Sequence, residues 1–354
     1  MSNGKTCALL PLILLVGLAA VPIHGVMVVQ SERVEITPLF ASTSTDLSGV
    51  RVAILEGYFS PTDPRVEESR GALYHMFNWM NATVEIINST DILHGALWAF
   101  EIFVIPEGLG PVMEAYLGTS AEDMIRDWVA AGGSYIGVRG SFTIAITDSY
   151  FEGHDETYYL GFINGTSYGM DTLGHTLITD VRIQNDPEGP NLSEYPETMS
   201  VLFRTGRYLV PAEAQEIIII ANYTYNNQPA LVASRYGQGN LFISSPHFEY
   251  EENSDRDGTD YMDSYDDPDS EWPLLLTISQ WLIDESPTVC NTTTWTYPVT
   301  STTTTTTTTS ATTSTSTTTT TTDVSDMLPM LPIAGVAIGV VVVLIAAVFV
   351  RRRP

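Results

Sequence analysis

The stretch YIGVRGSFTIA, Tyr135 to Ala145, has the local form of a catalytic elbow: an apolar run ends in a glycine-flanked turn and a second apolar segment follows. A strand–turn–helix of this shape lifts its tip residue out of the fold, and a hydrolase places Cys or Ser there. The tip residue here is Arg139. A guanidinium stays protonated and carries no lone pair for attack, so Arg139 cannot form a covalent acyl intermediate. What it offers instead is five donors in a planar fork, which suits a carboxylate or phosphate. Two uses of that fork follow: a small anionic ligand, or an internal salt bridge with Glu107, Glu56 or Glu249.

A second group of residues suggests metal chemistry. YEENSDRDGTDYMDSYDDPDSEW, from Tyr250, crowds acids into one loop. NSDRDG, Asn253 to Gly258, resembles the opening of a calcium loop, in which hard oxygens converge on a turn made by glycine. Asn253, Asp255, Asp257 and Asp260 are the expected calcium ligands. An EF-hand needs Glu at the twelfth position, where Ser264 stands, so the alternatives are a looser calcium loop and a solvated acidic loop.

These residues need a scaffold. GVRVAILEG is a buried-type strand, and RVEESRGALYHMFNWM follows with Leu73, Phe77 and Met80 at helical spacing. ATVEIIN alternates like a strand, and FEIFVIPEG is a β-rich run ending at Pro106 and Gly108. SAEDMIRDWVAAGG reads as a helix capped by Ser120 and closed by a glycine pair. SYIGVRG is the next strand. This alternation predicts an α/β fold, a mostly parallel sheet with helices on both faces. EIIIIANYTY and PALVASRYGQGNLFISSPH extend it as antiparallel or mixed strands, and Trp272 to Ile283 packs back as an apolar helix. Ligands of open parallel sheets sit beyond the strands' carboxyl ends. The ends at Glu56–Gly57, Pro106–Gly108, Gly137–Gly140 and Ser245–His247 should share one rim.

In this order the motifs resemble the class I glutamine amidotransferase-like superfamily. The closest likeness is to the domain at the N-terminus of some eukaryotic biotin-protein ligases, also found in stand-alone microbial proteins. IPEGLG stands where that family has a P-G-G-type loop, GVRGS where it has G-[IV]-C-x-G, and GQGNLFISSPHFE where it has G-x-G followed by P-H-x-E. The resemblance covers about Val50 to Ile283 and implies a flavodoxin-like sheet. It implies His247 as base, Glu249 as its orienter, and Gly108 and Gly140 as markers of the oxyanion region, with the nucleophilic Cys replaced by Arg139. The implied protein is a lapsed enzyme whose binding residues are Arg139, Gly108, Gly140 and Glu107. The alternative is a hydrolase or amidase using Ser141, or an activated water, with His247 and Glu249; Ser141's plainer role is packing. A third reading is a structural surface or adhesion protein.

The ends of the chain suggest where it works. Residues 1–25 have the pattern of a secretory signal peptide, and 26–48 form an N-terminal extension to the domain at 49–285. The Thr/Ser-rich tract of 286–327 reads as a glycosylated stalk. Residues 328–350 read as a transmembrane helix, and 351–354 as a cytoplasmic tail with Arg351, Arg352 and Arg353. The expectation is a single-pass type I membrane protein with its domain outside, in the style of an archaeal surface. Sequons at Asn81, Asn88, Asn164, Asn191, Asn222 and Asn291 are the expected glycosylation sites. With 42 acidic against 15 basic residues, the surface excludes nucleic acid as a partner. Cys290 either links a homodimer or stays a free thiol.

Overall fold

The structure, a computed structural model, describes residues 46–57, 64–151, 153–170, 175–252, 254–265, 267 and 270–286. All lie in the first of two units into which the chain divides, 1–297 and 298–354. In chain order the first half runs β1 (Arg51–Leu55), α1 (Arg65–Trp79), β2 (Thr83–Ile87), α2 (Ser89–Leu93), β3 (Ile102–Ile105), α3 (Gly110–Leu117), α4 (Thr119–Ala130), β4 (Ser134–Val138) and α5 (Gly140–Ile144). The second half runs β5 (Ile146–Phe151), β6 (His154–Thr157), β7 (Ile163–Gly169), β8 (Thr176–Ile183), β9 (Thr198–Arg204), β10 (Arg207–Pro211), β11 (Ile218–Tyr223), β12 (Pro229–Tyr236), β13 (Gly239–Ser244) and α6 (Trp272–Asp284).

The main sheet has the order β2-β1-β3-β4-β13-β12-β11-β8-β9. Its central strands read as unbroken apolar runs because both faces are covered. Val52 and Ile54 of β1 point to one side, where they join Leu73, Met76 and Phe77 of α1 and Leu275, Ile278 and Leu282 of α6. Ala53 and Leu55 point to the other, against a core that includes Ile125, Trp128 and Val129 of α4. The strand period of two thus divides one sequence run between two cores. The GQG turn before β13 is fitted to α4: a Cβ on Gly239 would lie 2.1 Å from the Val129 carbonyl oxygen.

Two expectations need correction. The sheet is not mostly parallel. It is parallel from β2 through β13 and antiparallel from β13 through β9. A second sheet, β10-β7-β5-β6, stands beside it. α4 is capped by Gly118 at φ 70, and Ser120 lies inside the helix.

The membrane reading is corrected as well. No helix among the described residues is long and apolar enough to cross a membrane. The structure holds an α/β domain without a spanning helix, and the anchored, single-pass, extracellular placement has no support in it. The described residues also contain no cysteine and therefore no disulfide pair, so the dimer through Cys290 lacks support too. The expected signal peptide, the stalk beyond 286, the span at 328–350, the tail, Cys290 and Asn291 lie outside the described residues.

Candidate functional site

β3, β4 and β13 run parallel and side by side, so their carboxyl ends bring Glu107, Arg139 and His247 to one rim. β9 joins them from the far edge of the sheet. The His247 N–H donates to the Leu202 carbonyl at 2.9 Å, an isolated bridge that carries Arg204 and Thr205 to the same place. Arg65 and Ser69 enter from the first turns of α1.

His247 is buried and lies between two carboxylates. Its Nδ1 is 2.9 Å from Glu249 Oε1, and its Nε2 faces Glu107 Oε2 at 3.6 Å. Glu249 is held in turn: its Oε1 accepts from the Ser69 hydroxyl at 2.7 Å and its Oε2 from the Phe248 N–H at 3.1 Å. Glu107 is 1% exposed. Its carboxylate pairs with Arg65 at 3.7 Å and Arg204 at 3.7 Å, and its N–H donates to the Ser69 hydroxyl at 3.0 Å. Glu107 Oε2, His247 Nε2 and the Tyr250 hydroxyl are buried without a hydrogen-bond partner.

Arg139 occupies the elbow with φ 57 and ψ −98, a conformation that costs a non-glycine residue about 1–3 kcal/mol. Its N–H is tied to the Ser244 carbonyl at 2.7 Å. Its Nη2 donates to the Thr205 hydroxyl, and its Nε is buried without a partner. Burial lowers the guanidinium to about 10, Glu107 opposes the shift, and Arg207 and Arg204 add to it. None of the expected salt bridges forms: Glu107 turns to Arg65 and Arg204, and Glu249 to His247. The expected small-anion ligand gains no support: the fork donates to Thr205 and has Arg207 and Arg204 near it. Replacing Arg139 by Gly should leave the protein about 1 kcal/mol more stable than replacing it by Ala. Both remove the guanidinium, so the difference in urea midpoints reads the backbone strain, less glycine's greater freedom in the unfolded chain.

Ser141 is fully buried, and its hydroxyl lies 2.7 Å from both the Ile105 and Val138 carbonyl oxygens. It packs the elbow against β3. Gly140 and Gly108 do meet: a Cβ on Gly140 would lie 1.7 Å from the Gly108 carbonyl oxygen.

Of the expected calcium ligands, Asp255, Asp257 and Asp260 fall in no metal-holding group among the described residues. Asp257 is buried and accepts the Glu251 and Thr259 N–H groups, a turn-holding role. Asp255 and Asp260 are exposed and Asn253 lies outside the described residues. Among the described residues no three His, Cys, Asp or Glu side chains gather as a metal-holding group. Of the sequons, Asn81, Asn164 and Asn191 are exposed. Asn88 instead caps α2 through the Thr90 and Asp91 N–H groups, and Asn222 has a buried Oδ1 within β11.

Sequence reasoning missed Ser69, Arg65, Arg204 and Thr205. Ser69 carried a readable signal, a polar residue in the buried stripe of α1 that includes Val66, Leu73 and Met76. Arg204 and Thr205 carried none, since only the β9–His247 bridge brings them to the rim.

No protein-family model matches the chain, and no curated protein matches it. Among solved structures, a glutamine amidotransferase is similar at 18% identity and TM-score 0.39, covering 56% of this chain and 90% of that one. The glutaminase domain of Trypanosoma brucei CTPS with bound acivicin is similar at 14% identity and TM-score 0.44, covering 68% and 98%. A ThuA-like protein from Bacteroides uniformis is similar at 10% identity and TM-score 0.46, covering 70% and 96%. Each of these likenesses is distant and partial, with a TM-score below 0.5.

Proposed function

We propose that this domain is a catalytically silent member of the glutamine amidotransferase-like folds, in which a rim that carries acyl transfer elsewhere serves as a charged keystone. The observation that supports this most is the surroundings of His247. Its Nε2, the atom that would take a nucleophile's proton, faces Glu107 at 3.6 Å, and the nearby Ser141 hydroxyl is spent on backbone carbonyls. A base needs its nucleophile within hydrogen-bond reach, and the elbow supplies Arg139. The order of IPEGLG, GVRGS and SPHFE supports the nearer kinship with the biotin-protein ligase N-terminal-like domains.

On this reading the domain is a folded scaffold rather than a hydrolase. The full chain should hydrolyse glutamine, p-nitrophenyl esters and peptide amides no faster than its His247→Ala variant, and fluorophosphonate or chloroketone probes should leave it unlabelled. Turnover about 100-fold above that variant, the size of a working general base, would refute the reading.

A further inference from the structure

The second sheet has two faces of different character. Leu209, Ser167 and Ser149 lie on one face and are buried. The Arg207 guanidinium lies with them, donating to the Ser149 hydroxyl at 2.7 Å and to that of Ser167 at 3.3 Å. The strand period of two puts Tyr208, Tyr168 and Tyr150 on the other face. The register sets them side by side, Tyr208 opposite Tyr168 and Tyr168 opposite Tyr150. Their rings form a row: the Tyr168 and Tyr208 centroids are 5.6 Å apart at 21°, and those of Tyr150 and Tyr168 are 5.9 Å apart at 52°. Tyr150 is 42% exposed, and Tyr168 and Tyr208 are half-buried.

Two carboxylates continue this face. Asp155 of β6 stands opposite Tyr150. Asp148, two residues before Tyr150, is held in place: its Oδ1 accepts from the Thr157 hydroxyl at 3.1 Å and its Oδ2 from the Thr147 hydroxyl at 3.2 Å. Arg207 is the only Lys or Arg in the four strands, and it belongs to the buried face. The solvent face therefore carries aromatic rings and negative charge with no cation of its own strands.

The chain's own pairings show what such a surface attracts. Arg51, Arg126, Arg204, Arg207 and Arg256 hold their guanidinium groups between 4.2 and 5.9 Å from aromatic centroids. Three of them also pair with a carboxylate: Arg51 with Glu85, Arg204 with Glu107 and Arg256 with Glu251. Ring and carboxylate together are thus how this fold holds an arginine. The tyrosine row offers the same combination, and no arginine of the described residues lies over it.

We propose that the Tyr150–Tyr168–Tyr208 face docks an arginine-bearing segment of a partner protein, with guanidinium groups against the rings and Asp148 and Asp155 as counter-charges. A guanidinium suits this face better than an ammonium, because it is planar, weakly hydrated and able to meet a ring and a carboxylate at once. A neutral sugar would also stack on the rings, but it would leave the charge of both carboxylates uncompensated.

A fluorescein-labelled hexa-arginine peptide titrated with the full chain, read by anisotropy, tests the proposal. The wild type should bind it, and Tyr168→Ala and Asp148→Asn should each weaken binding about tenfold. The chain has 42 acidic against 15 basic residues, so a polycation is also drawn to it without docking. Glu188→Gln combined with Glu194→Gln measures that background, since it removes two exposed charges from the loop between β8 and β9; it should change binding by less than about twofold. If Tyr168→Ala does not fold, Tyr150→Ala decides, because that ring is 42% exposed and lies outside the hydrophobic cores. Absence of binding overturns the proposal, as does binding that the tyrosine variants weaken no more than the Glu188 and Glu194 control. Displacement of the peptide by millimolar maltohexaose, a neutral sugar, overturns it in favour of a carbohydrate platform.

Discussion

Replacing Glu107 with alanine should lower stability by about 3 kcal/mol and the melting temperature by about 6–12 °C. Three positive or ionisable partners converge on this one carboxylate: Arg65, Arg204 and His247. None sits at hydrogen-bond distance, so their interaction with Glu107 is mainly electrostatic. Its strength comes from burial, since the carboxylate is 1% exposed and charges there are poorly screened. Arg65 and Arg204 are 20% and 23% exposed and recover some hydration when Glu107 is removed, which keeps the figure at the low end for a broken buried pair. Arg139 has less relief. Burial already lowers its guanidinium to about 10, and Glu107 is the largest influence working the other way. Glu107→Gln keeps the shape and removes only the charge, so it should lose most of what alanine loses. A denaturant titration showing either variant within 1 kcal/mol of wild type (a margin set by ordinary surface substitutions) would remove the keystone from the proposed function.

What the sequence revealed depended on how local each signal was. β1, β3, β4 and β13 are short, continuous apolar runs bounded by turn residues, and buried strands of a parallel core are readable in that form. The elbow at Arg139 and the His247–Glu249 pair were legible for the same reason, being set by a few consecutive residues. β6, His154–Thr157, is exposed along its whole length, and an exposed strand carries no apolar alternation to find. The second sheet joins strands through pairings such as Tyr150 with Tyr168 and Tyr168 with Tyr208, which no local pattern announces. The rim shows the same limit. Glu107 was a candidate because it sits in the loop after an apolar run, but its partners Arg65 and Arg204 come from α1 and β9. The acidic loop misled in a different way. NSDRDG has calcium-loop spacing, but the fold buries Asp257 to hold backbone N–H groups and buries Glu252, Asp267 and Glu271 beside it in sequence. Composition showed the acids, and only packing showed which of them are buried.

Gly140→Ala should have the other large effect: loss of more than about 4 kcal/mol, seen as failure to accumulate folded protein. Here the elbow and the loop after β3 touch backbone to backbone. A Cβ on residue 140 would fall 1.7 Å from the Gly108 carbonyl oxygen, 2.6 Å from its carbon and 3.1 Å from its nitrogen. Flexible side chains can swing away from such a clash, but these atoms are main chain and are fixed from several sides. The Glu107 N–H is tied to Ser69, the Ser141 hydroxyl contacts the Ile105 carbonyl, and the Arg139 N–H is tied to Ser244. Nor can Gly108 retreat freely, since its own α-carbon faces Met113, whose sulfur would lie 2.7 Å from a Cβ there. The requirement for glycine at 140 is thus contact distance, with no left-handed backbone involved. Gly71→Ala is the matched control. Gly71 lies in the interior of α1, and a methyl group added there would meet nothing within 4 Å, so alanine should stabilise the helix by about 0.5–1 kcal/mol. Opposite signs in the two melting temperatures are the expected result. A Gly140→Ala protein melting within a few degrees of wild type would mean that the loop after β3 can yield, and that Glu107 is not fixed by the elbow beneath it.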